Sequence, residues 1–292
     1  MTEVRPALPG QFDEVYPLLQ EFPDSGMDRD DWRRMLFDLP WAVEEPHRGY
    51  VLYDAGRAVG FLGTIFSRRV LDGAEHRFCN LSSWIVQEPY RSASLQLVLP
   101  VMALKGYTIV NFTASPAAHE VFVRLGFQPL EQRQVLITAL GRPAELLPGG
   151  SGNIVTEPEK VREALDAAGR RIFDDMKATR TSQVVLARNG RHCHVVAART
   201  PWKGSSRLAH VLYASDWELV WAHPGRIARA LRGSLGTVGL RIDGRHVHGL
   251  GKLPPFAAFR ELAYPLLYRP ASPALTPDKV DGIYSELVQK PW

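Results

Sequence analysis

The amino-acid sequence predicts an α/β (α+β) fold in which a mixed, mainly antiparallel sheet is flanked by helices, with a second domain of similar build. Turn signals at residues 54–57 (DAGR) and 72–73 (DG) separate apolar runs and indicate a β-meander in the first half. Apolar residues at helical spacing lie on both sides of this meander. After a stretch rich in Gly and Pro, hairpin, strand and helix patterns occur again.

The first half is predicted to run strand, helices, meander, helix, strand, helix and strand. Its predicted strands cover residues 4–7, 49–53, 58–66, 76–86, 107–112 and 127–138. Helices are predicted around residues 12–19, 30–37, 95–103 and 116–125. Because a proline inside a helix removes a backbone hydrogen bond, Pro100 predicts a kink or a later start for the third of these helices.

Residues 141–153 (GRPAELLPGGSGN) form the clearest boundary in the chain. We therefore predict a first domain over 1–140, a linker over 141–156 and a second domain over 157–292. The second domain should contain a helix at 157–177, a hairpin at 183–199, strands at 208–213, 217–221, 237–242 and 246–248, and a helix at 225–232. This order repeats that of the first half and predicts a diverged internal copy. We expect segments 265–269 and 281–286 to close the core of the second domain.

Composition narrows the functional class. The 292 residues are 45% hydrophobic and 23% charged, with a net charge of +4 spread along the chain, which is typical of a globular protein that does not bind nucleic acid. The longest apolar stretch, residues 95–104, is shorter than the roughly 20 residues that a membrane span needs. The N-terminus carries no export or organelle signal, and Cys79 and Cys193 lie far apart. We expect a soluble cytoplasmic protein with reduced thiols and no membrane partner.

Three segments of the first half carry a family resemblance. Residues 86–91 (VQEPYR) follow a predicted strand, residues 59–63 (VGFLG) end a hairpin strand, and residues 115–127 contain the pattern SxxAxxxFxxxGF. In this order, over about residues 3–137, they resemble the GNAT superfamily of N-acetyltransferases. The resemblance implies a tandem GNAT fold whose first half uses acetyl-CoA or another acyl-CoA as co-substrate. It also implies transfer of the acyl group to a small-molecule amine.

The resemblance implies that the pyrophosphate of coenzyme A binds in the loop after residue 86, at a helix N-terminus whose unpaired amides and dipole attract a phosphate. Serine stands at two of the family's glycine positions in this loop, and its hydroxyl can itself donate to a phosphate. The pantetheine arm would run along the strand that ends here. The implied acyl-CoA-binding residues are Ile85, Val86, Arg91, Ser92, Ala93, Ser94, Leu95, Gln96, Ala118 and Phe122.

Catalysis in the family is direct attack by an amine on the acyl carbonyl, with a tyrosine that often protonates the leaving thiolate. Phe122 stands at this tyrosine position, and Ser115 replaces the usual asparagine. Tyr107 or Ser115 is therefore our candidate catalytic residue for supplying the proton. The same substitutions leave a second hypothesis open, in which the chain is a catalytically silent acyl-CoA-binding or scaffold protein.

Two other sets of residues were considered for chemistry. His192 and His194 share one predicted strand face, as do His246 and His248, and four imidazoles could bind zinc. No cysteine or carboxylate completes a zinc-binding spacing, so we expect no metal. Strand alternation places Cys79, Leu81, Ser83 and Ile85 on one face, and we interpret Cys79 as a small core residue.

Overall fold

A computed structural model of the chain describes residues 2–22, 26–41, 45–139, 153–204 and 206–291. The chain divides into two compact units. The first unit runs to Pro129 and also contains Leu266–Lys279 and Tyr284–Pro291, whereas the second contains Leu130–Pro265 and Val280–Ile283. The sequence predicts a single boundary instead, and most of the predicted linker lies outside the described residues.

The strands are β1 (Glu3–Pro6), β2 (Gly49–Asp54), β3 (Arg57–Leu71), β4 (Ala74–Val86), β5 (Tyr107–Asn111), β6 (Gln128–Thr138), β7 (Asn153–Val155), β8 (Thr181–Arg188), β9 (Arg191–Pro201), β10 (Arg207–Ala214), β11 (Gly239–Asp243) and β12 (Ala257–Arg269). The helices are α1 (Phe12–Leu19), α2 (Arg29–Leu36), α3 (Leu99–Met102), α4 (Pro116–Arg124), α5 (Pro158–Glu163), α6 (Ala167–Met176), α7 (Trp217–Ala222) and α8 (Pro224–Leu235). The predicted fold class, helices on a mainly antiparallel mixed sheet, is confirmed.

In the first unit the strand order is β1-β2-β3-β4-β5, followed by the C-terminal part of β12. Neighbouring strands are antiparallel except β4 and β5, which are parallel. Both predicted meander turns are present. Their central residues have positive φ, 47° and 79° in the first turn and 51° and 78° in the second, as a tight hairpin requires. α1 buries the four apolar residues that predicted it: Phe12, Val15, Leu18 and Leu19.

The helix predicted at residues 95–103 is mostly absent. Glu88–Leu97 form a 3-10 helix, and the α-helical part is only Leu99–Met102. Pro100 lies in the first turn of α3, where its missing N–H costs no hydrogen bond. The prediction that this proline delays the helix start is therefore confirmed.

In the second unit the strand order is β7-β8-β9-β10-β11-β6, and β10 and β11 are its parallel pair. Three predictions here are wrong. Residues 157–177 form two helices, because Asp166 caps α6 by accepting from the Gly169 N–H at 2.7 Å. Residues 217–221 form α7, capped by Asp216, rather than a strand. Gly244–His246 form a 3-10 turn, so the predicted strand at 246–248 is absent.

The two units have the same strand order. In each unit, the last strand pairs antiparallel with the second strand of the parallel pair. In the first unit that strand is the C-terminal part of β12, and in the second it is β6.

Sequence analysis placed segments 265–269 and 281–286 in the second domain. This is wrong for Leu266–Arg269 and Tyr284–Glu286, which belong to the first unit. Descent of the two units from one ancestral copy stays a prediction.

Candidate active site in the first unit

A fork in the sheet marks the candidate site. β4 and β5 pair from Arg77 opposite Tyr107 to Asn80 opposite Val110, and then they part. β4 continues on β3 as far as Val86, opposite Gly60. The stretch of β4 after Asn80 is therefore paired with β3 on one side and no longer paired with β5 on the other.

A β-bulge lies on this diverging stretch. The register of β4 on β3 shifts between Ser82 and Ile85, and Ser83 has a φ of 58°, a conformation that serine rarely adopts. Because the bulge inserts one residue, Trp84 and Val86 pack against the hydrophobic core of the first unit, which contains Cys79. The predicted alternation that put Ser83 and Ile85 on the face of Cys79 is therefore wrong beyond Leu81.

Two buried polar side chains meet at the fork. The Glu286 carboxylate is fully buried and accepts hydrogen bonds from Asn80 Nδ2 and, at 2.6 Å, from Thr113 Oγ1. Asn80 is 2% exposed, and its Oδ1 is buried without a hydrogen-bond donor among the described residues. Burial lowers the pKa of the nearby Lys290 ammonium, and the charge of Glu286 acts in the opposite direction. Within the described part of the chain, the fork thus holds a carboxylate with spare lone pairs beside an amide oxygen that has no donor.

Contacts on both sides of Glu286 hold its segment in place. Tyr284 has a φ of 60°, packs edge-on against Trp41 at 5.2 Å between ring centroids, and lies under the Arg69 guanidinium at 5.6 Å. Ser285 Oγ accepts from the Leu287 N–H at 3.2 Å. Sequence analysis missed Glu286, because its partner Asn80 lies 206 residues earlier in the chain. No local pattern signals such a contact.

The predicted pyrophosphate loop differs from the expected helix N-terminus. Ser92 to Gln96 lie inside the 3-10 helix Glu88–Leu97, where main-chain amides bond to carbonyls three residues earlier. Their amides are therefore occupied. The Arg91 side chain is exposed and has no hydrogen-bond or ion-pair partner among the residues described. Ala93 is half-buried, and Leu95 is exposed.

Helix α4 contains three of the predicted site residues. Ser115 is its N-cap, and its Oγ accepts from the Ala118 N–H at 3.3 Å. Phe122 is fully buried, with its ring 5.4 Å from Trp84 and 4.9 Å from Phe127. Phe122 thus contributes to the hydrophobic core behind the diverging strand, and Ser115 stabilises the helix start.

Tyr107 lies at the opposite end of β5 from the fork. It precedes Val110 by three residues, or about 10 Å along a strand. Its ring lies beneath the Arg77 guanidinium at 4.7 Å and against Phe66 at 5.5 Å. This position argues against proton donation at the fork.

Burial raises the pKa of the Cys79 thiol, which favours its interpretation as a core residue.

The described part of the chain contains no group of three or more His, Cys, Asp or Glu side chains arranged to hold a metal ion. None of its helices combines the length and the apolar character that a membrane span requires.

Solved structures with the same fold come from several bacteria, although no protein-family model and no curated protein matches the chain. A GCN5-related N-acetyltransferase from Anabaena variabilis is 10% identical, with a TM-score of 0.60 over 93% of this chain and 73% of its own. A conserved protein of unknown function from Enterococcus faecalis is 11% identical, with a TM-score of 0.57 over 93% and 73%. A GCN5-related N-acetyltransferase from Kribbella flavida is 14% identical, with a TM-score of 0.52 over 92% and 71%. The forked sheet described above is therefore that of the GCN5-related N-acetyltransferase (GNAT) fold.

Proposed function

We propose that the protein is an acyl-CoA-dependent acyltransferase that transfers an acetyl or longer acyl group to the nitrogen of a small amine. The observation that supports this function best is the fork after Asn80 and Val110. Where β4 leaves β5, main-chain groups on that edge of β4 lose their strand partner. An extended chain that contains amides can pair with such an edge by β-augmentation, and the pantetheine arm of acyl-CoA is such a chain.

The phosphates of acyl-CoA are proposed to bind near the 3-10 helix Glu88–Leu97, which follows the forked strand. Because the amides inside this helix are occupied, side chains have to supply the contacts. Arg91 offers an exposed guanidinium without a partner in the described chain, and Ser92 and Ser94 offer hydroxyl groups. Val86 and Ile85 would lie along the pantetheine arm.

The amine is proposed to bind at Glu286 and Asn80. A primary ammonium group brings N–H donors. These two side chains offer a carboxylate with spare lone pairs and an amide oxygen to which no described residue donates. Glu286 would accept one proton from the ammonium group and so free its lone pair for attack. The lone pair forms the C–N bond, the C–S bond breaks, and a proton from the nitrogen neutralises the leaving thiolate. Ser82 and Ser83, on the diverging stretch of β4, are better placed than Tyr107 to relay this proton.

Calorimetry with acetyl-CoA and longer acyl-CoAs tests the binding part of this proposal. Arg91→Ala should weaken binding by about 1 to 3 kcal/mol, the range for a charge-assisted hydrogen bond. Arg124→Ala is the matched control, because this arginine is 81% exposed and makes only a long ion pair, 3.9 Å, with Glu120. Absence of binding by the parent protein would refute the proposal. Two ligands per chain would contradict our expectation that only the first unit binds acyl-CoA.

Thiol release from the bound acyl-CoA tests the catalytic part. A panel of small amines and amino sugars should include acceptors that stimulate thiol release and yield the N-acylated product. Binding of acyl-CoA without any amine-dependent thiol release would favour the alternative, a catalytically silent acyl-CoA-binding or scaffold protein.

A further inference from the structure

A buried polar cluster lies on the parallel strand pair of the second unit. Leu240 and Ile242 of β11 belong to the hydrophobic core of this unit. Because side chains alternate along a strand, Arg241 and Asp243 lie on the opposite face of the sheet. His210 of β10 is the direct pairing neighbour of Arg241.

Two of its neighbours donate to the Asp243 carboxylate, one to each oxygen. Its Oδ1 lies 3.0 Å from His210 Nε2, and its Oδ2 accepts from Arg245 Nη1 at 2.7 Å. All three side chains are at most 5% exposed. Burial raises the pKa of the Asp243 carboxyl, but the charge of Arg245 and the hydrogen bond from His210 outweigh it and hold the pKa well below its usual range. Asp243 is thus a charged carboxylate with a donor on each oxygen.

The arginines of the cluster keep donors without acceptors. Arg245 Nε donates to the Val280 carbonyl at 3.2 Å, but its Nη2 is buried and has no hydrogen-bond partner in the described chain. The Nε of Arg241 is likewise buried and unpartnered within the described residues. Burial lowers the pKa of the Arg241 guanidinium, and the charge of Asp243 opposes this. A buried N–H donor without an acceptor is destabilising, and more so on a charged group, so an acceptor is expected at this place.

Glu131 is close to this cluster but is committed elsewhere. Its carboxylate accepts the main-chain N–H groups of Gln132 and Arg133, each at 2.7 Å, and also that of Arg245. These bonds use both oxygens of the carboxylate on backbone amides. Asp243 is thus the carboxylate that pairs with a guanidinium here, and it faces two arginines.

We propose that Arg241 and Arg245 form a binding site for a small oxyanion, the carboxylate or phosphate group of a ligand. A guanidinium presents N–H donors in a planar fork that matches both groups. The oxyanion would accept from Arg245 Nη2 and Arg241 Nε, the two donors without partners. Arg241 as a whole is half-buried, whereas the Arg245 side chain is 4% exposed. The residues of this site belong to the second unit, and those of the proposed acyl-CoA site belong to the first.

The test is calorimetry of the full chain with inorganic phosphate, acetate and glycerol phosphate at constant ionic strength. The parent protein should bind at least one of these anions saturably. Arg241→Gln should weaken that binding by about tenfold to a hundredfold, as expected for one charge-assisted hydrogen bond. Arg260→Gln, which removes an exposed arginine of β12, should bind like the parent. Arg241 is preferred to Arg245 because loss of Arg245 would leave Asp243 buried without its cation.

The ligand class follows from which anion binds. Preference for phosphate and glycerol phosphate indicates a phosphate ester, and preference for acetate indicates a carboxylate. Acyl-CoA affinity should be the same in Arg241→Gln and the parent, which separates this site from the acyl-CoA site. No saturable binding of any of the three anions would overturn the proposal. Equal anion affinity of Arg241→Gln and the parent, or a loss of acyl-CoA affinity in that variant, would do so as well.

Discussion

Replacing Glu286 by glutamine removes one charge from the fork and leaves its shape almost unchanged. The carboxylate accepts from Asn80 Nδ2 and Thr113 Oγ1, so the new amide group must donate on one side. Asn80 can accommodate this by turning its own amide, because none of the described residues donates to its buried Oδ1. Both charge-assisted hydrogen bonds then become neutral ones, at a cost of about 1 kcal/mol each in the free energy of unfolding.

The effect on catalysis should be much larger than the effect on stability. If Glu286 is the proton acceptor, its loss should lower kcat by roughly a factor of 100 to 10,000. Acyl-CoA affinity should stay at the parent value, because the fork and Arg91 are unchanged. Glu286→Asp should recover part of the activity. Glu75→Gln is the matched control. Glu75 lies on β4, the strand whose Asn80 bonds Glu286, but it is exposed and paired with Arg68.

Comparison of two amines separates a chemical role from a structural one. A primary alkylamine is protonated at neutral pH and needs a base, whereas an alkoxyamine is already neutral. Glu286→Gln should therefore lose much less activity with the alkoxyamine. An equal loss with both amines, together with a lower melting temperature, would refute the assignment and leave Glu286 as a residue that stabilises the C-terminal segment.

Two further predictions concern buried groups. Burial lowers the pKa of His194 to about 4, against the ordinary 6.5, so the unfolded chain takes up the proton first. Unfolding experiments should show stability falling by up to about 3 kcal/mol between pH 6.5 and 4, and His194→Gln should remove this dependence. Phe122→Tyr places a hydroxyl in the core between Trp84 and Phe127, which should cost about 1 to 3 kcal/mol in thermal unfolding without raising thiol release. A rise in turnover would mean that the buried hydroxyl can reach the leaving thiolate.

Local chemistry made most of the first unit predictable. The turns at 54–57 and 72–73 require positive φ, which glycine adopts readily, and Gly56 and Gly73 lie in them, so the meander could be located from sequence. α1 could be located because its buried residues have helical spacing. The errors at 95–103 and 217–221 arose where apolar periodicity was ambiguous. The Asp216 cap, which accepts from the Leu219 N–H at 3.0 Å, was a readable helix signal in the second case.

Long-range pairing explains the rest. The final strand of each unit comes from the other half of the chain, and hydrophobic patterns do not specify a strand's partner. Glu286 likewise lies at the fork through a contact between distant parts of the chain, since Tyr284–Pro291 belong to the first unit. The bulge at Ser83 reversed the predicted facing of the residues after Leu81, because serine gives no sign that it will adopt positive φ. The parts of the site that sequence analysis missed therefore depend on tertiary contacts.

Solved structures share the fold of this chain, yet no family sequence model matches it. The backbone geometry of the site explains this difference. Parting of β4 from β5 and the bulge at Ser83 are main-chain features, and pairing with an extended ligand requires only main-chain N–H and C=O groups. Such a site constrains side chains weakly. The glycine loop and the tyrosine of the GNAT pattern act through particular residues, and both are replaced here, by a 3-10 helix that contains serines and by Phe122. If the fork binds the pantetheine arm through the backbone, substitutions of side chains that point away from it should change acyl-CoA affinity little. The acceptor specificity would then depend on the few side chains at the fork, Glu286 and Asn80 first among them.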